Sequence, residues 1–371
     1  MTELNTDEDK LLEAMIQYQE RELEGYQALL APLFRPQGSN AFELACTLIR
    51  VGGMQGPGWD PLEESTETLA DLMALFRLKL EPGQFKNPEK TRWRLLLISY
   101  AHLVEMDAPY DVLANLLRLR LKLPFSITPF QGVAVQSTTR KKPKTRPLAA
   151  PMLGMSPIQK IEAIKKLASQ AGCASIGNAF EEFYFPSLRN SIDHSDYILH
   201  DNEFRMRNGY ITEEGNPNSL TPVIKMQRLG EIIGRAFAFY QAFFGLELAA
   251  RAWFGRFKGQ GFPLDRLLKG LVEFLIDENG LLVGFKVHWP NEQDSIYRRL
   301  SGGCEALNIS HGLDGTIGFV VGEYFQDRHS FSRLVPLDRE PKYTAAEGAT
   351  EPLQWPSEKT QTSGTSVSEH S

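Results

Sequence analysis

The chain has 371 residues, too long for one ordinary core and suited to two or three domains. Its apolar share of 42% and charged share of 23% are those of a soluble globular protein. A net charge of −6 excludes a global basic field for holding nucleic acid, so any such contact must come from local patches. Cys46, Cys173 and Cys304 stand far apart without metal spacing, which reads as core or free thiols in a reducing compartment.

In chain order, the acidic start shows no secretory signal, and Asp7 to Leu33 reads as a helix whose apolar stripe begins with Leu11, Leu12, Met15 and Ile16. Pro32 and Pro36 stop it. Phe42 to Val51 is a shorter helix ended by Gly52-Gly53, and the glycine- and proline-rich stretch to Pro61 is loop. Glu67 to Leu78 is a third helix. Asn87-Pro88, a good N-cap and a good first residue, opens a fourth that runs to about Val104. Tyr110 to Leu121 is a fifth. Residues 1–122 are therefore expected as a helical N-terminal domain.

Residues 123–151 break the pattern. Pro124 and Pro129 interrupt helix, and 132–136 is a candidate brief strand. Arg140, Lys141, Lys142, Lys144 and Arg146 then place five cations in seven residues. This is an expected basic linker: either a solvated charge run or a strap for RNA phosphates.

Residues 152–258 are expected as a second helical domain. Ser156-Pro157-Ile158-Gln159 is a capping-box pattern, and Gly172 is the stop signal of the helix it starts. Phe180, Phe183, Tyr184 and Phe185 form an aromatic cluster for packing. Pro186 or Ser187 starts a short helix, and Tyr197 to Arg207 alternates as a hairpin turning at Asp201-Asn202, with Arg205 and Arg207 on one face. Asn208 to Leu220 reads as loop, and Thr221-Pro222 as the start of a long helix. That helix is apolar on nearly all sides from Phe237 to Phe244, so several partners must bury it, a second subunit among the candidates. Glu231, Arg235, Glu247 and Arg251 argue against a membrane span, and a cytoplasmic protein is the expectation.

Residues 259–337 read as a small α+β unit. It comprises a helix from Leu264 to Leu275, a turn at Asp277-Glu278-Asn279-Gly280, a strand from Leu281 to Trp289, a helix from Asn291 to Arg299 and a strand from Thr316 to Tyr324. Residues 338–371, rich in Glu, Thr, Ser and Pro, are expected to be a disordered tail.

The chemistry concentrates in Leu188-Arg189-Asn190-Ser191-Ile192-Asp193-His194-Ser195-Asp196-Tyr197. On a helix Asn190 and His194 share a face, and the long Arg189 side chain can lean toward the imidazole. Arg189 and Asp193 are also spaced for an i,i+4 ion pair on an ordinary polar surface. His102, His200, His288, His311, His329 and His370 lack partners at metal spacing and read as structural or surface residues.

Arg189-Asn190-x-x-x-His194, with a Ser-Pro-led helix before it and a long apolar helix after it, resembles the signature of HEPN domains (higher eukaryotes and prokaryotes nucleotide-binding). The resemblance covers roughly residues 155–257. It implies a HEPN-like helical bundle for the central part; with the elements read above, the expected fold class is mainly α: a helical N-terminal region, that central bundle with a small β-hairpin insertion, and the small C-terminal α+β unit. It also implies a homodimer in which two such helices line one cleft and cut single-stranded RNA by 2′-hydroxyl attack, without metal or other cofactor, in a defence or toxin-like role. On that reading His194 is the acid/base, Arg189 stabilises the transition state and Asn190 orients. RNA contacts are expected from Tyr197, Arg205, Arg207, Arg140, Lys141, Lys142 and Lys144. The family usually has a small residue where this chain has Asp193, a carboxylate that draws on Arg189 and repels phosphate. The alternative is a HEPN-like module that binds nucleotide, RNA or protein without catalysis.

Overall fold

The structure, a computed structural model, describes residues 7–35, 40–54, 58–78, 80, 83–133, 155–213, 216–263, 270–289 and 293–319. Among them are nine α-helices: α1 (Asp7–Leu30), α2 (Ala41–Leu48), α3 (Pro61–Arg77), α4 (Pro88–Leu103), α5 (Asp107–Arg120), α6 (Pro157–Gln170), α7 (Ala174–Phe183), α8 (Pro186–Asp193) and α9 (Met226–Trp253). At the head of α4 the Asn87 start signal acts as its chemistry predicts, accepting from the Lys90 amide. α3 begins at Pro61 and not at the expected Glu67, because Asp60 accepts from the Leu62 and Glu63 amides and Pro61 suits a first turn. Before α6, Gln159 Oε1 accepts from the Ser156 amide, and Gly172 closes that helix at a φ of 70°.

The helices pack around α9. Two glycines one turn apart, Gly230 and Gly234, let α1 lie against it. A Cβ on Gly230 would stand 3.2 Å from Met15 Cγ, and one on Gly234 would stand 3.3 Å from Tyr18 Cδ1. Gln19 Nε2 donates to Gln241 Oε1 at 2.6 Å across the same seam. Further along, Phe237 packs on Phe76, Phe239 on Phe180 and Phe183, and Phe243 on Phe34. Tyr240 donates to the Tyr110 hydroxyl, which donates in turn to the Val104 carbonyl. The apolar circumference from Phe237 to Phe244 is thus covered by helices of its own chain. The stretches expected as separate domains, 1–122 and 152–258, meet in this one core.

The strands are β1 (Tyr197–His200), β2 (Glu203–Met206), β3 (Ile211–Glu213), β4 (Asn216–Thr221), β5 (Val223–Lys225), β6 (Gly261–Pro263), β7 (Leu271–Ile276), β8 (Leu282–His288), β9 (Asp294–Leu300), β10 (Gly303–Leu307), β11 (Ile309–His311) and β12 (Ile317–Phe319). β1 and β2 form the expected hairpin, with Asp201 in the left-handed region, and β5 adds to it beside β2. β3 and β4 make a second hairpin where a loop is expected. The long helix begins at Met226 and not at Thr221, because Val223–Lys225 is spent pairing with β2.

The C-terminal region is an antiparallel sheet in the order β10-β9-β8-β7-β6. The chain is therefore mixed, helical first and then β, and two expected helices are overturned. Residues 271–275 belong to β7, a short apolar run whose pattern does not by itself tell strand from helix, and residues 294–299 belong to β9. Residues 264–269 and 320–371, the tail included, lie outside the described residues, as does most of the candidate strand at 132–136. Phe42 on Phe285 and Phe254 on Phe274, both at 4.9 Å, seat the sheet on the helices, and Arg299 Nη1 donates to the Ile49 carbonyl at 2.9 Å. Among the described residues no helix is long and apolar enough to cross a membrane.

Candidate functional site

α8 is amphipathic in the simplest way. Leu188 and Ile192, one turn apart, are buried, and Asn190, Asp193 and His194 face solvent. Pro186 occupies the first turn, where its missing N–H costs nothing. The helix ends in a Schellman turn. Asp196 N donates to the Ser191 carbonyl at 2.8 Å and Ser195 N to the Ile192 carbonyl at 3.0 Å, with Ser195 at a φ of 52°. That turn leaves His194 as the C-terminal cap, exposed, and aims the chain into β1.

α8 is held to α4 from behind. The Tyr100 hydroxyl donates to the Phe183 carbonyl at 2.7 Å, and the Phe185 amide donates to that hydroxyl. At the end of α4, Glu105 reaches the site. Arg189 Nε stands 2.6 Å from Glu105 Oε1 and 3.0 Å from Asp193 Oδ2, and its Nη1 donates to Asn190 Oδ1 at 2.9 Å. The Nε contacts are charge contacts, not aligned hydrogen bonds. Burial raises the Glu105 carboxyl above the usual carboxylate range, with Arg189 pulling the other way. Burial, with Glu105 next in weight, pushes the Tyr184 phenol up to about 12.

The structure brings Arg189, Asn190 and Asp193 together, the ion pair of an ordinary polar surface included, and leaves His194 exposed at the end of the helix; the Arg189 guanidinium is engaged by Glu105, Asp193 and Asn190, and among the described residues it makes no contact with the imidazole toward which it was expected to lean. It adds Glu105, which the sequence concealed: nothing at position 105 marks it as a neighbour of position 189. Tyr197 is half-buried, its ring stacked on Phe204 at 4.9 Å, so that face is taken. Arg205 is exposed but paired with Glu203 on its own strand, Nη2 to Oε2 at 2.7 Å. Arg207 is exposed, its amide donating to the Asp196 carbonyl at 3.1 Å, which sets it beside the end of α8. Arg140, Lys141, Lys142 and Lys144 lie outside the described residues. Among the described residues no group of three or more His, Cys, Asp or Glu is placed to hold a metal ion. No known family, curated protein or solved structure matches the chain.

Proposed function

We propose that this chain is a HEPN-like endoribonuclease that works without metal, with His194 moving the proton. The observation that supports this most is an exposed imidazole at the end of α8 with a guanidinium on the same helix, held by Glu105, Asp193 and Asn190. Anchoring cuts the cost of ordering a long side chain when a phosphate arrives. In the reaction, a base takes the 2′-hydroxyl proton as that oxygen attacks phosphorus. The 5′-oxygen leaves with a proton from an acid, and a cyclic phosphate remains. One imidazole supplies one of these roles, and a second copy of α8 across a homodimer supplies the other. Arg189 faces the charge that grows on the phosphoryl oxygens.

The test is cleavage of labelled single-stranded RNA in EDTA. His194→Ala is expected to lower the rate about 10²–10⁴-fold, the usual worth of a positioned acid or base, with little change in unfolding temperature. Equal cutting by both proteins, or none by either, removes the proposal.

A second reading rests on a different observation: Arg189 sits between two carboxylates, Glu105 and Asp193, so the immediate charge is net negative. On that reading the surface binds RNA, nucleotide or protein without reaction. RNA binding that weakens with salt and survives His194→Ala, in the absence of cutting, selects it.

A further inference from the structure

β1 is an outer strand of the sheet β1-β2-β5, and it lacks the usual guards of an open edge. The large sheet keeps Glu305 in the middle of β10 and ends β6 with Pro263, and β5 ends in Lys225. β1 reads Tyr197-Ile198-Leu199-His200, with no proline, glycine, lysine or carboxylate. Ile198 stands 56% exposed on its outer face. The register with β2 fixes the phase of the backbone. The Arg207 amide donates to the Asp196 carbonyl, so Asp196, Ile198 and His200 turn their backbone groups toward β2. Tyr197 and Leu199 turn theirs outward, where no described residue bonds to them.

The strand is complementary to itself. Two copies related by a two-fold axis normal to the sheet keep the same face outward, so only residues of one phase can stand opposite each other. An axis through Ile198 sets Tyr197 against the partner's Leu199. These are the residues with outward backbone groups, and each such pair exchanges both of its bonds, about four in all. Ile198 then meets its own copy as a non-hydrogen-bonded pair, where side chains come closest. At both ends Asp196 faces the partner's His200, an anion against an imidazole. Asp196 gives Oδ2 to Asn208, and His200 Nδ1 lies 3.1 Å from Asp201 Oδ2, so Oδ1 and Nε2 are the atoms turned to the new contact. An axis through Leu199 or Tyr197 instead runs the pairing into Asp201 at a φ of 48° or Ser195 at a φ of 52°, where the strand has ended.

We propose that β1 is an interaction surface whose partner is a second copy of β1, paired antiparallel about Ile198 into one sheet that runs through both chains. An unrelated strand would supply the backbone bonds and the apolar contact, but not the anion and the imidazole in reversed order. The pairing does not rest on the reaction proposed for α8, although His194 lies just before the strand and the two ends of α8 would flank the axis. The contact is short, so the dimer is a weak one that forms as concentration rises.

The experiment is sedimentation of the full chain over a concentration series, with oxidative trapping in a Cys304→Ser background. Wild type is expected to pass from monomer to dimer. Ile198→Lys sets like charges face to face at the axis and is expected to weaken the dimer about tenfold. Ile198→Cys is expected to trap a disulfide-linked dimer, because a non-hydrogen-bonded pair stands about 4.5 Å apart at Cα, within disulfide reach. His200→Cys is expected to trap none, since the register holds its two copies apart. Both positions are exposed, so these variants leave the core intact. A dimer indifferent to Ile198→Lys overturns the proposal. So does failure of Ile198→Cys to trap it, or trapping as ready with His200→Cys. A monomer at every concentration also overturns it, and if the Tyr197 and Leu199 amides of that monomer resist hydrogen exchange, another strand covers the edge. RNA cleavage is read in none of these arms, so their failure leaves α8 to its own test.

Discussion

α8 and α9 are both helices of one bundle, and they solve opposite problems. α9 is apolar around its middle and is enclosed by rings from α1, α3, α7 and the turn after α1. α8 buries a single stripe, Leu188 and Ile192, and gives its other face to water and to a charge cluster. The lesson is one of scale. Dispersion and burial hold the first helix with energies of several kcal/mol per ring, while exposed ion pairs arrange the second with tenths of that. Stability therefore rests on α9, while α8 carries only the function proposed above.

Substitutions can break that separation, and the largest effect belongs to α9. Phe239 is fully buried and touches Tyr26, Phe180 and Phe183, so Phe239→Ala should cost about 3–5 kcal/mol. Urea unfolding measures it. A loss under about 1 kcal/mol would mean the bundle repacks freely around α9 and is not the rigid partner of the comparison.

A smaller effect comes from Glu247, buried near the end of α9 with Arg251 Nη1 at 3.6 Å. Burial pushes its carboxyl from the ordinary 4.5 up to about 7, against the pull of Arg251. The folded chain then holds a proton that the unfolded chain releases. This site contributes most below about pH 4.5 and loses its contribution as pH rises to about 7. The change across that window is roughly 3 kcal/mol. Glu247→Gln should flatten that slope in urea midpoints taken below and above the window. An unchanged slope assigns the pH dependence to other groups.

The smallest effect is the most telling for α8. Asp193→Ala removes one carboxylate from Arg189, and an exposed i,i+4 pair is worth only a few tenths of a kcal/mol. Unfolding should barely move, while affinity for single-stranded RNA should rise as the repulsion is relieved. If RNA affinity is unaltered, the charge cluster is a structural surface and neither reading of α8 as an RNA site survives.

What could be read ahead of the structure follows the same division. Asn87-Pro88, Ser156-Pro157 and Gly172 are local signals, and each set a helix end as expected. The hairpin at 197–206 was legible because alternation and an Asp-Asn turn coincide. The strand at 294–300 was not. Its Arg299 points inward, where it pairs with Asp60 and caps the Ile49 and Arg50 carbonyls, so a charged residue masks the period of two. The same blindness hid Glu105, which meets Arg189 from a segment far away in sequence, and no spacing rule reports on such a pair.

The seam between α1 and α9 has a consequence for how the chain is made. Gln19 and Gln241 are 222 positions apart. At translation rates of about 5–20 residues per second, α1 must wait roughly 10–40 s for the helix it lies against. During that interval Met15, Tyr26 and Leu30, all buried at the end, have no α9 to cover them. The newborn N-terminal helix thus stands to gain from a chaperone until α9 emerges.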